Sequence, residues 1–205
     1  QALEWLNQRT DTDTDFFGVV VEVLQIDDSK PAYNFKPIVF PNEWQKTKRN
    51  QAIGAVSSKG EAYRQYYQPL IDELRDQYNF TGARIAQPQN WYAFSSGVSG
   101  IQISAVFASN NRARVELYID QGDYENNKAL FDWLKGQKEM VERQCGFSLE
   151  WERLDEKRAS RIAIVRNGSI ENSTKELDEI REWQIDKLLI LKKVFSPLVK
   201  AGVNK

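Results

Sequence analysis

Histidine is missing from all 205 residues of the chain. That absence excludes Ser-His-Asp and Cys-His nucleophilic catalysis, imidazole proton shuttling near neutral pH and histidine-built metal sites. Cysteine is nearly as scarce, and Cys145 alone allows neither an intrachain disulfide nor a cysteine zinc site. No apolar run approaches the roughly 20 residues needed to span a bilayer, and the opening Gln1-Ala2-Leu3-Glu4-Trp5-Leu6 lacks the basic start and continuous apolar stretch of a secretory signal. The expectation is a cytoplasmic protein with no membrane partner. An excess of either charge is lacking too. With 28 Lys and Arg against 29 Asp and Glu, the net charge of -1 gives no global attraction to nucleic acid, which leaves only local patches. Gly97, Gly100, Gly122 and Gly168 stand at turns, and no glycine-rich phosphate loop followed by lysine is present. Any catalysis must therefore use carboxylates, Lys, Tyr or a hard oxygen-bound metal, and the sequence leans toward no enzyme and no cofactor.

What is present is an ordinary globular composition, 41% hydrophobic and 28% charged. Phe16 to Ile26 is β-branched and nearly all apolar, the pattern of a strand covered on both faces, so it calls for a partner sheet or a place in the main one. Asp27 to Pro41, with Pro31, Pro37 and Pro41, reads as an extended connection. Residues 1–44 form a helix-strand appendage and 45–60 a polar linker. The main domain, 61–200, opens with Tyr63, Tyr66, Tyr67, Leu70, Ile71 and Leu74 at helical spacing, and Pro69 delays or kinks that helix. Trp91 to Phe94 reads as a strand, followed by a tight connection to Gly100. Ile101 to Phe107 and Arg114 to Ile119 alternate as a hairpin turned at Asn110-Asn111, with the second set of side chains along each strand facing out. One helix spans Asn126 to Gln144, ended by Gly146, and two strands follow at Ser148 to Leu154 and Arg161 to Arg166. A long last helix runs from about Thr174 to Phe195, weakening at Ser196-Pro197. The order predicts an α+β fold, a mainly antiparallel sheet of four or more strands packed by helices. Trp133 and Trp183 are expected in the core, and Trp5 and Trp44 exposed in the appendage.

Several segments resemble a known family: Asn90-Trp91, Ser99-Gly100-Ile101, Arg114-Val115-Glu116-Leu117-Tyr118-Ile119, Lys128-Ala129-Leu130-Phe131-Asp132, and Leu149-Glu150-Trp151-Glu152-Arg153-Leu154 leading to Ala159-Ser160-Arg161-Ile162. Over residues 63–197 the chain is similar to the bacterial and archaeal family named domain of unknown function 4268. Ala2 to Asn7, Phe16 to Val19 and Pro41 to Trp44 resemble the junction preceding that domain in longer proteins, which carry an upstream restriction-endonuclease-like nuclease region. The resemblance implies that the chain opens at the last helix and strand of such a region, and it implies a context of DNA-processing or defence proteins rather than a mechanism.

A nuclease of that type needs an acid, then a strand bearing an acid, a spacer and a lysine, because two carboxylates hold Mg²⁺ while the lysine orients water. Val21-Glu22-Val23-Leu24 and Val115-Glu116-Leu117-Tyr118 both lack the lysine. Glu116 and Asp120 share a strand face and are the candidate Mg²⁺ ligands, although outer-face acids are mostly solvated. Arg112, Arg114, Lys157, Arg158, Arg161 and Arg166, with Trp91, Tyr92 and Tyr118 near them, suit a nucleic-acid surface if they gather on one side. The competing expectation is cross-strand pairing of Arg114, Arg153 or Arg161 with the interleaved Glu116, Asp120, Glu150, Glu152, Asp155 and Glu156. Two functional readings result. One is a non-catalytic module that associates with DNA or with a nuclease-bearing protein through Trp91, Arg112, Arg114, Tyr118, Lys157, Arg158 and Arg161. The other is an assembly domain forming a homo-oligomer or docking a partner. An Mg²⁺ nuclease is the outlying third.

Overall fold

The computed structural model describes residues 18–24, 30, 32–39 and 57–203. The expectations for a helix before residue 10, for exposed Trp5 and Trp44, and for the linker up to residue 56 lie outside the described residues. The chain divides into two compact units between Val56 and Ser57.

In the first unit, β1 (Gly18–Leu24) pairs antiparallel with β2 (Ala32–Val39) as a two-stranded ribbon. This corrects two expectations. The apolar strand does not join the main sheet, and the proline-bearing segment after it is a strand rather than an irregular connection. Pro37 is tolerated because β2 pairs with β1 alone among the described strands, so one edge needs no N–H donors. Nor is β1 covered on both faces: Val19, Val21 and Val23 are exposed on one side, Val20 and Leu24 on the other.

The second unit is α+β. Five antiparallel strands, β3 (Trp91–Val98), β4 (Ile101–Ala108), β5 (Arg112–Ile119), β6 (Glu150–Glu152) and β7 (Ser160–Asn167), lie in the order β3-β4-β5-β7-β6. Asn110 and Asn111 both take positive φ, 60° and 55°, so the backbone twist of the turn matches that of the strands it joins. The inner face is apolar at alternate positions: Phe94, Ile101, Ile103, Ala105, Phe107, Val115, Leu117, Ile119 and Ile162 are all buried.

Onto that face pack α1 (Ser58–Asp76) and α4 (Thr174–Val203), with α2 (Tyr124–Lys135) and α3 (Lys138–Cys145) beside them. α1 begins at Ser58, before the expected Glu61, because the Ser57 hydroxyl caps it by accepting from the Gly60 N–H. Pro69 lies within its continuous span. The single helix expected over 126–144 is two, broken at Gly136-Gln137. The Gly136 and Gln137 N–H groups close on Asp132 and Leu134, tightening the turn, and α3 ends on Gly146 at φ 80°. α4 starts with a reciprocal Ser173/Glu176 cap.

α4 also outruns its expected end, continuing through Pro197 to Val203. A mid-helix proline costs about 3 kcal/mol. The packing beyond it offsets that cost, since Val199 is fully buried and Gly202 lies so close to Leu130 and Trp133 that a Cβ would stand 2.5 Å from the leucine. Trp133 and Trp183 are half-buried against the core rather than inside it, and Trp183 carries the Arg166 guanidinium 5.8 Å above its ring. Among the described residues no helix is long and apolar enough to cross a membrane.

Candidate nucleic-acid interface

The sheet face turned away from the helices brings together five of the sequence-derived candidates, Trp91, Arg114, Glu116, Tyr118 and Arg161. Strand register sets them in three rows. Trp91, Val106, Arg114 and Val165 align in the first; Ala93, Ser104, Glu116, Ala163 and Glu150 in the second; Ser95, Gln102, Tyr118, Arg161 and Glu152 in the third. Alanine and serine make the middle row short, while the flanking rows carry tryptophan, tyrosine and arginine. A row of short side chains between two rows of long ones is a trough. It forms a cleft of about 390 Å³ lined by Asn90, Trp91, Gln102, Ser104, Val106, Arg114, Glu116, Tyr118 and Arg161.

Asn90 fixes the entrance of β3. Its Nδ2 donates to the Phe107 carbonyl at 2.8 Å, and its own carbonyl accepts from the Phe107 N–H and from the Tyr67 hydroxyl. Trp91, the next residue, is 43% exposed and stands at the rim.

Glu116 lies at the floor with 6% of its surface exposed, unlike the solvated outer-face acid expected from strand alternation. Its Oε2 sits 2.6 Å from Arg114 Nε and 3.7 Å from an Arg161 nitrogen. The approach of Arg114 is off the N–H direction, so Arg114 Nε and Glu116 Oε2 are buried without a directed hydrogen bond. Burial pushes the Glu116 carboxyl above the usual glutamate range, against the pull of the two arginines, and burial lowers Arg114. Tyr118 is likewise raised by burial.

Around the cleft ion pairing is extensive, between strands and from the β6–β7 loop. Arg112 donates to Glu150 at 2.6 Å, Arg161 to Glu152, Arg158 to Asp120 at 2.7 Å, and Arg153 to Asp132 and Asp155. The Arg161 hydrogen bond holds Glu152 below the ordinary range, and Arg158 does the same for Asp120. Glu116 and Asp120 are thus held by different arginines, and among the described residues no group of three or more His, Cys, Asp or Glu side chains could hold a metal ion. Lys157 and Arg158 lie in the loop between β6 and β7, outside the cleft lining.

Sequence reasoning missed Lys128, which is 1% exposed. Its ammonium donates to the carbonyls of Arg153 (2.6 Å), Ala159 (2.7 Å) and Leu154 (2.9 Å) and to the Ser160 hydroxyl (3.1 Å), and it lies 4.9 Å from the centre of the Tyr124 ring. This lysine ties α2 to the loop that delivers Arg161 to the cleft. Three segments singled out in the sequence, 128–132, 149–154 and 159–162, meet here.

The family model described as Domain of unknown function (DUF4268) matches residues 62–199. The chain belongs to this family. DUF4268 in this chain therefore comprises all five strands of the main sheet and the four helices except the ends of α1 and α4. No curated protein and no solved structure matches the chain.

Proposed function

We propose that this DUF4268 domain is a non-catalytic module that binds single-stranded nucleic acid on the open face of its sheet. The observation that carries the reading is the cleft itself, with Trp91 and Tyr118 on either side of a short polar row and arginines at its wall. A flat base stacks on an aromatic face and finds hydrogen-bonding groups in Gln102, Ser104 and Glu116 below it, an arrangement that needs the base unpaired. Because Arg112, Arg114, Arg158 and Arg161 already face carboxylates, stacking and edge contacts supply more of the affinity than phosphate neutralisation does. Residues 1–44 belong, in this proposal, to the closing part of a nuclease-like region joined through 45–60 to the main domain at 61–200. The module then serves a DNA-processing or defence nuclease in the cytoplasm.

The test is fluorescence anisotropy with short single- and double-stranded DNA, with and without Mg²⁺. Single strands are expected to bind, more tightly than duplex, with no need of the metal and no cuts. Absence of binding at low salt would overturn the reading. One observation favours a second function. The exposed Val19, Val21, Val23, Tyr33 and Phe35 of the β1-β2 ribbon suit an assembly surface, which sedimentation would show as salt-tolerant self-association.

A further inference from the structure

Single-stranded binding leaves open which base the cleft prefers, and three features of the floor bear on that. Glu116 offers a buried carboxylate whose Oε2 lies 2.6 Å from Arg114 Nε without a directed hydrogen bond. Two guanidinium groups stand beside that carboxylate, Arg114 one row along on its own strand and Arg161 on the neighbouring strand, so a cationic donor lies next to an anionic acceptor. Trp91 and Tyr118 in the lining offer aromatic faces on which a flat ligand stacks.

A base that satisfies all three must present two adjacent N–H donors to the carboxylate and an acceptor next to them for an arginine. Guanine does so along one edge, with its 2-amino group, its N1–H and its O6 in sequence. Adenine and cytosine each place an acceptor beside their single amino group, which would meet the carboxylate as a repulsive pair. Thymine and uracil flank one N–H with two carbonyls. Arginine pairs readily with guanine O6, and a carboxylate accepts two parallel donors in the same bidentate geometry that guanidinium groups exploit.

We propose that the cleft selects guanine in a single strand, with Glu116 reading the N1–H and 2-amino edge and Arg114 or Arg161 the O6 edge. This rests on the single-strand reading above. Both oxygens of Glu116 are used once Arg114, whose Nε lies 2.6 Å from Oε2 without a directed hydrogen bond, turns from the carboxylate toward the O6 edge.

The experiment compares short oligothymidylates carrying one central guanine, adenine, cytosine or hypoxanthine, titrated against the whole chain by fluorescence anisotropy. The guanine strand is expected to bind about tenfold more tightly than the adenine or cytosine strand, in line with one bidentate base contact. Hypoxanthine, which keeps N1–H and O6 but lacks the amino group, is expected between them. Glu116→Gln, its folding checked by circular dichroism, is expected to abolish the preference, and Trp91→Ala to weaken every strand alike while keeping the order. Equal binding of all four strands overturns the guanine assignment and leaves the single-strand reading standing; no binding of any strand overturns both. Guanosine monophosphate binding as tightly as the guanine strand would keep the base assignment and overturn the strand.

Discussion

Replacing Lys128 by methionine keeps the length of the side chain and removes its charge and its hydrogen bonds, and the structure allows the cost to be worked out acceptor by acceptor. The Arg153 carbonyl also accepts from the Ser160 hydroxyl, and the Leu154 carbonyl also accepts from the Lys157 N–H, so both remain partly satisfied. The Ala159 carbonyl has Lys128 as its described partner and is left bare. One buried carbonyl without a partner costs about 2 kcal/mol, and two charge-assisted bonds lost from carbonyls that keep another donor add about 1 kcal/mol each. Relief from burying the ammonium, whose pKa that burial lowers, offsets part of this. The net is about 3 kcal/mol. For a domain of this size each kcal/mol moves the melting temperature by about 3 °C, so Lys128→Met is expected to melt about 9 °C below the parent in calorimetry at neutral pH. Lys193→Met, at an exposed position on α4, is the control and is expected within about 1 °C. A Lys128→Met melting point within about 2 °C of the parent would refute the claim that this lysine holds the 153–160 loop.

The remaining predictions concern charge, thiol and salt. Glu142 accepts from the Leu149 N–H and the Trp151 indole, and Glu152 from Arg161, so both carboxyls titrate below the ordinary range. Their folded values lie below their unfolded ones, so the stability they contribute is present above the ordinary glutamate value and is lost as the pH falls through the depressed ones. Glu116 runs the other way, since its raised carboxyl takes up a proton sooner in the fold and partly offsets that loss. An acid titration of melting temperature on Glu142→Gln should therefore show a shallower decline below the ordinary glutamate range than the parent, and an identical curve would sink the assignment. Cys145 is buried and its thiol is pushed up to about 11 by that burial, so a disulfide reagent at neutral pH is expected to label it only on unfolding. Rapid labelling of the native protein would contradict its burial at the end of α3. Binding to single strands should lose only about sevenfold between 50 and 200 mM salt, the slope of roughly two phosphate contacts. A loss of a thousandfold would mean the arginine pairs open to phosphate far more than their geometry implies.

Much of the main sheet was legible in the sequence because its information is local. The alternation of Ile101 to Phe107 and Val115 to Ile119, joined by two asparagines able to take positive φ, specifies a hairpin with little else needed. Gly146 marked its helix end for the same reason. What failed was decided by partners distant in sequence. Pro197 stops a helix unless something beyond it is worth reaching, and the close seat of Gly202 against Leu130 and Trp133 is such a contact. The prolines around β2 concealed a strand that needs donors on only one edge. The cleft itself was legible as a set of residues and not as a place. Trp91, Arg114, Glu116, Tyr118 and Arg161 all carried the chemistry of a site, whereas the trough depends on Ala93, Ser104 and Ala163, three unremarkable residues that only strand register brings into one row. Glu116 looked solvated for the same reason, since Ser104, Ala163 and Arg161, which help to bury it on that face, come from other strands. Lys128 gave no local sign of burial at all, because its acceptors lie in a loop some thirty residues on.

The central claim, that the open sheet face holds a base of a single strand, is tested most directly by Trp91→Ala. Trp91 is partly exposed at the rim, so its removal should leave the melting temperature nearly unchanged. Stacking on one aromatic side chain is worth about 1–3 kcal/mol per base, so the dissociation constant for a short single strand measured by anisotropy is predicted to rise about tenfold or more. An unchanged dissociation constant in a variant that melts like the parent would place any nucleic-acid binding elsewhere and contradict the account.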